Sequence, residues 1–144
     1  HPGANSNLDF HLEIPTGPLV VLCDDHQIRQ MFTNLIQNSI DSITARENNG
    51  NLDKGIVKIK TSIKSNFCHL KIIDNGIGLP TEISNRLTEP YVTTREKGTG
   101  LGLAIVAKIV EDHGGILKIQ DVSDQESGVV VTITIPLVET EYAK

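Results

Sequence analysis

The fold of this chain is decided by residues 74–103, which begin with Asp74-Asn75-Gly76-Ile77-Gly78 and end with Lys97-Gly98-Thr99-Gly100-Leu101-Gly102-Leu103. The second run alternates glycine with other residues and leads into an apolar segment with helical spacing, which predicts a helix over residues 101–113. The first turn of a helix exposes free backbone N–H groups at the positive end of its dipole, and glycines let a phosphate come close to them. The pattern therefore predicts an anion-binding helix start beside a strand that ends at Asp74.

Length and composition predict one globular domain. The chain has 144 residues, 38% hydrophobic residues, 3% aromatic residues and a net charge of −5. This length supports a core of its own, and the few aromatics predict an aliphatic core. The negative charge argues against a nucleic-acid partner, and no apolar run approaches the ~18 residues of a membrane span. We expect no nucleic acid and no direct membrane insertion by this segment.

The two cysteines bear on the cellular compartment. Cys23 and Cys68 lie in predicted strands without metal-ligand spacing, which predicts buried thiols in a reducing compartment, although a bridge between them remains open. We therefore expect a cytoplasmic domain, and a longer parent protein could still carry a membrane anchor. Residues 1–7 are predicted to be a flexible lead-in, residues 8–138 the domain, and residues 139–144 a polar tail.

Hydrophobic periodicity predicts the secondary structure. Strands are predicted at residues 8–14, 19–23, 57–64, 67–74, 116–122 and 129–136, with a hairpin turn at Ser65-Asn66. A first helix is opened by Asp24, with Gln27 as the return half of a capping box, and is followed by a solvated loop at residues 46–54. A short helix is predicted at residues 80–87. Together these elements predict an α/β (α+β) two-layer sandwich, with a mixed and mostly antiparallel sheet covered on one face by about three helices.

Asp74 is the first candidate for chemistry. It shares parity with Leu70 and Ile72, so it is predicted to face the core at the end of its strand. A buried carboxylate needs a donor, because an unpaired one costs about 1–3 kcal/mol. The N6 amino group of adenine supplies such a donor, whereas guanine presents an acceptor there. The alternative is a simple turn at Asn75-Gly76, a common hairpin dipeptide, but no alternating partner strand follows it directly.

Two asparagines and two basic residues complete the candidates. Asn34 and Asn38 are four residues apart beside the apolar seam of the first helix, and an amide oxygen suits Mg²⁺ next to phosphate. Spacing alone leaves solvent-facing or core amides open. Arg95 and Lys97 lie in a charged segment, residues 88–97, that we predict to be a mobile lid. They are either solvated surface charges or contacts to a terminal phosphate.

The glycine run differs from two better-known phosphate sites. Its third glycine falls one place early for the dinucleotide fingerprint, and a charged segment rather than a strand precedes it. The sequence of the P-loop is also missing from the chain. A plain flexible loop is a further alternative, although such loops seldom lead at once into a strong apolar helix.

These residues carry a resemblance to a known family. The chain resembles the catalytic, ATP-binding domain of bacterial sensor histidine kinases, which share a superfamily with gyrase B, MutL and heat-shock chaperone ATPases. Asn34-Leu35-Ile36-Gln37-Asn38-Ser39 looks like the N box, and Asp74-Asn75-Gly76-Ile77-Gly78 looks like the first glycine box. Thr88-Glu89-Pro90-Tyr91 takes the place of the F box, and Gly98-Thr99-Gly100-Leu101-Gly102-Leu103 is similar to the second glycine box. Residues 86–97 are similar to nitrogen-regulation sensor kinases of the NtrY type.

The resemblance implies a domain that binds Mg·ATP and transfers the γ-phosphoryl group to a histidine on a separate dimerisation domain, with a response regulator downstream. It implies that Asp74 binds the adenine amino group, that Asn38 coordinates Mg²⁺ and that Asn34 assists the metal or the transfer. Arg95 and Lys97 would act from the lid. The other implied nucleotide contacts come from Gly76, Ile77, Gly78, Tyr91, Thr94, Gly98, Thr99, Gly100, Leu101, Gly102 and Leu103.

The chain departs from the family pattern in two places, the F box and position 129, and a further position separates activities. Leu87 stands where the F box begins with Phe, with Tyr91 for the later Phe, and Val129 stands where many relatives carry Ser or Thr. Relatives that hydrolyse ATP carry Glu at the position of Asn34. Because an amide cannot accept a proton from water, the sequence favours transfer to histidine over hydrolysis. A degenerate domain kept for protein contacts is the third alternative.

Overall fold

The computed structural model describes residues 8–14, 24–78, 99–123 and 126–137, with the backbone alone for residues 99–102. Its elements are β1 (Leu8–Glu13), α1 (Asp25–Asn48), β2 (Gly55–Lys64), β3 (Phe67–Asp74), α2 (Thr99–Asp112), β4 (Ile116–Asp121) and β5 (Val129–Pro136). The five strands form one sheet in the order β1-β2-β3-β5-β4. The β1–β2 pair is parallel and the other pairs are antiparallel.

Both described helices pack on one face of this sheet, over β2, β3 and β4. The mixed two-layer sandwich is thereby confirmed. The described ranges contain two helices rather than about three, and the segments predicted as a helix at residues 80–87 and a strand at residues 19–23 lie outside them. None of the helices in these ranges has the length and apolar character that a membrane crossing needs.

The core lies between the helices and the inner sheet face, and its fully buried side chains are aliphatic as predicted. They are Met31, Leu35, Val57, Ile72, Val106, Val110 and Ile133. The predicted parity of β3 is confirmed, since Leu70, Ile72 and Asp74 are all buried on the inner side. This parity carries the Asp74 carboxyl to the edge of the core.

The hairpin between β2 and β3 is confirmed by its backbone. Ser65 and Asn66 have φ angles of 53° and 67°, the pair of left-handed residues that a two-residue type I′ turn requires. Strand alternation directs apolar side chains to one buried face, and this burial fails at two places. Phe10 in β1 and Ile63 near the hairpin are 49% and 51% exposed, and Leu12 and Ile14 are also exposed. β1 is an edge strand that the described helices do not cover, and Ile63 lies close to the hairpin end of the sheet.

Helix α1 extends further than predicted. The loop expected from residue 46 begins only after Asn48, and Arg46 is 6% exposed rather than solvated. The Arg46 guanidinium donates to Asn51 Oδ1 at 2.9 Å and to the Asp53 carbonyl oxygen at 2.8 Å. Arg46 therefore folds the polar segment back onto the end of the helix, which a charge-based reading of the sequence does not anticipate.

The helix ends match the sequence in part. The Asp24 side chain accepts the Gln27 backbone N–H at 3.0 Å, so the predicted cap is confirmed. The predicted return bond, from the Asp24 backbone N–H to the Gln27 side chain, is wrong. The Asp24 backbone N–H donates to His113 Nε2 at 3.0 Å instead. Helix α2 begins at Thr99, two residues before the predicted start, and its end is followed by Gly114 at φ +73°, as the glycine signal predicts.

Candidate functional site

The carboxyl group of Asp74 lies at the centre of the candidate site. It ends β3, is 5% exposed, and accepts the Gly76 backbone N–H at 2.8 Å. Burial raises its pKa to about 6, and hydrogen bonds from the backbone of Gly76 and Val129 and from the hydroxyls of Ser39 and Ser42 oppose this rise. The protein therefore stabilises a carboxylate whose burial alone favours the neutral acid.

The two serines connect this carboxyl to α1. Ser39 and Ser42 are three residues apart, so they share a face of the helix, and both are buried. Ser42 Oγ accepts the Ile77 backbone N–H at 3.0 Å. A Cβ added to Gly76 would overlap Ser42 Oγ. The small size of Ser42 permits the close approach of α1 to this turn, and its hydroxyl also bonds to the turn.

Glycines let two loops meet beside Asp74. Gly78 and Gly128 have φ angles of +85° and +136°, which side chains with a Cβ rarely adopt. A Cβ on Gly128 would overlap the Asp74 carbonyl oxygen, and one on Gly78 would lie 3.4 Å from the Gly128 nitrogen. The Ile77 side chain between the two glycines of the first loop is 46% exposed. The result is a close backbone junction beside Asp74 with an apolar side chain at its edge.

Asn75 holds this turn against the start of β2. Its Oδ1 accepts the Ile56 backbone N–H at 2.8 Å, and its Nδ2 donates to the Lys54 carbonyl oxygen at 2.9 Å. The amide thus uses both its donor and its acceptor within the protein. It serves to fix the turn that follows Asp74.

Asn34 and Asn38 lie on α1 before the serines, both half-buried. Their Nδ2 atoms are buried and have no hydrogen-bond partner within the described part of the chain. An unpaired buried amide is unusual in a folded protein, and its nitrogen suits an acceptor such as a phosphate oxygen. The amide oxygen is a ligand type that Mg²⁺ accepts. These two residues therefore fit a magnesium–phosphate group.

The structure brings together part of the predicted site. Asp74, Gly76, Ile77 and Gly78 form one turn in contact with α1, the helix that carries both asparagines. Thr99, Gly100, Leu101, Gly102 and Leu103 form the first turn of α2, whose free N–H groups point out of the helix start. The other predicted residues lie outside the described ranges: Tyr91, Thr94, Arg95, Lys97 and Gly98, with the rest of the F box and the lid.

Three contacts at the site were missed by sequence reasoning: the hydroxyls of Ser39 and Ser42 and the backbone N–H of Val129, all directed at Asp74. The spacing of the serines beside the N-box asparagines was the available signal. At position 129 the contact comes from the backbone, so it does not depend on the side chain that departs from the family pattern.

Comparison with known proteins shows the family of the chain. Residues 23–139 match the family described as histidine kinase-, DNA gyrase B-, and HSP90-like ATPase. The nitrogen regulation protein NtrY of Azorhizobium caulinodans is 43% identical over 112 residues, which cover 78% of this chain and 14% of that protein. The chain spans about a fifth of the length of the NtrY-like relatives it matches in Rickettsia.

Solved structures give the same result. The catalytic domain of the histidine kinase ThkA has a TM-score of 0.72 and 33% identity, and the match covers 90% of this chain and 79% of that one. The same kinase in complex with the response regulator TrrA has a TM-score of 0.68 and 30% identity, covering 92% of this chain and 35% of that one.

Proposed function

Because the chain belongs to the family of histidine kinase-, DNA gyrase B- and HSP90-like ATPases, we propose that it is the Mg·ATP-binding catalytic domain of an NtrY-type sensor histidine kinase. It transfers the γ-phosphoryl group of ATP to a histidine on a separate dimerisation domain, from which a response regulator receives it. The likeness to NtrY and to a kinase solved with its response regulator supports this reading. The domain acts in the cytoplasm.

The observation that carries the proposal is the buried carboxyl of Asp74 beside a turn that only glycines allow to pack so closely. The carboxylate accepts the N6 amino group of adenine, and Ile77 and the backbone of Gly76 and Gly78 shape the space for the ring. Guanine would place its O6 acceptor against the carboxylate, so GTP is rejected. The internal donors from Ser39, Ser42, Gly76 and Val129 keep the carboxylate charged and oriented near neutral pH.

The phosphates are held between the two helices. The free N–H groups of Thr99, Gly100 and Leu101 bind phosphate oxygens at the start of α2, and Gly102 and Leu103 complete this first turn. Asn38 offers its amide oxygen to Mg²⁺ and Asn34 lies one turn away on the same helix. When bound, Mg²⁺ neutralises the charge that develops on the phosphates during transfer. Tyr91, Thr94, Arg95, Lys97 and Gly98 contribute from the lid side.

Phosphoryl transfer is favoured over hydrolysis by Asn34. A hydrolase needs a general base to activate water, and the Asn34 amide cannot accept a proton. Without a general base for water, the residues of the domain can still position the nucleotide. Such positioning suits attack on the γ-phosphate by a histidine of another domain.

The test mixes this domain with the phosphoacceptor domain of the same kinase and γ-labelled ATP. We expect label on histidine, none with GTP, and none with Asp74→Asn or Asn38→Asp. Matched controls at exposed positions, Asp53→Asn and Asn48→Asp, should transfer normally. Rapid release of free phosphate without the acceptor domain would favour the hydrolase, and failure to bind either nucleotide would leave a protein-contact module.

A further inference from the structure

The sheet face that points away from the helices is basic, although the chain as a whole carries a charge of −5. Strand alternation places five lysines on this outer side, which we call the lysine face: Lys58, Lys60, Lys64, Lys71 and Lys118. Lys64, Lys71 and Lys118 are exposed and the other two are half-exposed. The acidic side chains on this face are Asp9 and Glu13 at its β1 edge, and Asp9 pairs with Lys54.

The lysines are aligned across strands rather than scattered. Lys60 lies directly opposite Lys71, and the row continues through Thr132 to Lys118. Like charges opposite each other destabilise a sheet. Within the described ranges, ion pairs are made by Arg29, Lys54 and Lys108 and by none of the five face lysines. This arrangement costs stability and gains nothing from contacts among those residues.

Exposed apolar side chains lie at one end of the same face. Phe67 is 41% exposed and pairs with Pro136, and Ile116 is 69% exposed and pairs with Thr134 in the neighbouring strand. The register brings all of them to the hairpin end of the sheet. A basic surface with apolar side chains at one end is the pattern of proteins that bind at the surface of a membrane.

We propose that the lysine face binds peripherally to an anionic lipid surface, with the lysines over the headgroups and Phe67 and Ile116 in the interfacial layer. The lysine and arginine residues on this face are all lysines, with the histidines His11 and His69 on the same side. Protein interfaces are enriched in arginine, which binds carboxylates in a bidentate way, and depleted in lysine. A lysine ammonium is a point charge on a flexible chain, so it can attract many headgroups without a fixed geometry. A cluster of five lysines is large enough for such attraction. Such binding needs no membrane-spanning segment.

The test is co-sedimentation with vesicles of phosphatidylcholine alone or mixed with phosphatidylglycerol, at low and at physiological salt. We expect binding to the mixed vesicles alone, weakened by salt. The double variant Lys60→Gln/Lys71→Gln should lower the partition coefficient by about ten- to thirty-fold. The control Arg29→Gln/Lys108→Gln removes the same charge from the exposed faces of α1 and α2 and should bind like the original protein.

A second pair of variants separates charge from apolar contact. Ile116→Ser should weaken vesicle binding at unchanged net charge, whereas Leu12→Ser, 62% exposed on the opposite side of the sheet, should not. Thermal unfolding of Lys60→Gln/Lys71→Gln should show a melting temperature equal to or above the original, because the opposed charges are gone.

Three results would overturn the proposal. Equal binding to neutral vesicles removes the electrostatic basis, and equal losses in the lysine and control double variants remove the assignment to this face. Tighter binding of the lysine face to duplex DNA or to polyglutamate than to mixed vesicles, at the same salt, would assign the face to another polyanion.

Discussion

The start and the middle of α1 make opposite use of their polar groups. At its start, the Asp24 side chain accepts a hydrogen bond from the Gln27 N–H, and the Asp24 backbone N–H donates to His113 Nε2. The His113 Nδ1 in turn donates to the Ile109 carbonyl oxygen at 2.7 Å. Further along, Asn34 and Asn38 hold buried amide nitrogens without partners among the described residues. Asp74 keeps a buried carboxyl against the second half of the helix. The start of the helix is built for stability, and its middle retains unmet polar groups that suit a ligand.

The largest effect is expected where the second half of α1 contacts the turn at residues 76–78. Gly76→Ala places a Cβ into Ser42, so we expect a loss of about 3 kcal/mol of unfolding free energy and no measurable nucleotide binding. Gly50→Ala is the control, because Gly50 has φ +101° with open space around it and should lose about 1 kcal/mol. Urea unfolding of both variants checks the difference, and equal losses would show that overlap with Ser42 is unimportant.

Asp74→Asn should make the protein more stable and inactive at once. The carboxyl pKa is about 6 in the folded protein against 3.8 for the free side chain, so the folded state binds the proton more tightly. Stability from this group is complete below pH 3.8 and is lost as the pH rises through 6. Removing the charge should therefore add about 1–2 kcal/mol at pH 8, less than the full linkage value, because the new amide fits the surrounding N–H donors poorly.

Urea unfolding at pH 8 and at pH 4 tests this sign. The gain from Asp74→Asn should disappear at the lower pH, where the original carboxyl is protonated, while exposed Asp53→Asn should change little at either pH. A variant that is less stable by the same amount at both pH values would mean that the charge is not the cause.

The start of α1, where the polar groups are hydrogen-bonded, should lose stability on mutation and keep its nucleotide affinity. His113→Ala removes the acceptor of the Asp24 N–H and the donor to the Ile109 carbonyl, so we expect about 1–2 kcal/mol of destabilisation. Nucleotide affinity should stay the same, because this link lies at the start of the helix, more than three turns before Asn38. His26→Ala, at an exposed position, is the control. A change in ATP affinity for His113→Ala would mean that the start and the middle of the helix are coupled.

The same contrast explains what the sequence could and could not predict. The hairpin at Ser65-Asn66, the Asp24 cap and the inward parity of Asp74 depend on residues close together in the chain, and local periodicity reveals them. The Asp24–His113 bond joins residues 89 apart, and the serine contacts to Asp74 join α1 to β3. Those contacts follow from tertiary packing. The exposure of Phe10 likewise depends on β1 lying at the sheet edge, which alternation does not encode.

The smallest effect should come from Ser39→Ala, which removes one donor from the Asp74 carboxyl. Because the Ser39 hydroxyl lowers the pKa of Asp74, its loss should raise that pKa above 6 and cost about 0.5–1 kcal/mol of stability at pH 8. Titration of the Asp74 carboxyl carbon by NMR measures the pKa directly, without nucleotide, and exposed Ser62→Ala is the control. If the Asp74 titration is unchanged, burial and the backbone donors alone set the charge of this carboxyl, and the serines serve only to let the helix approach the sheet.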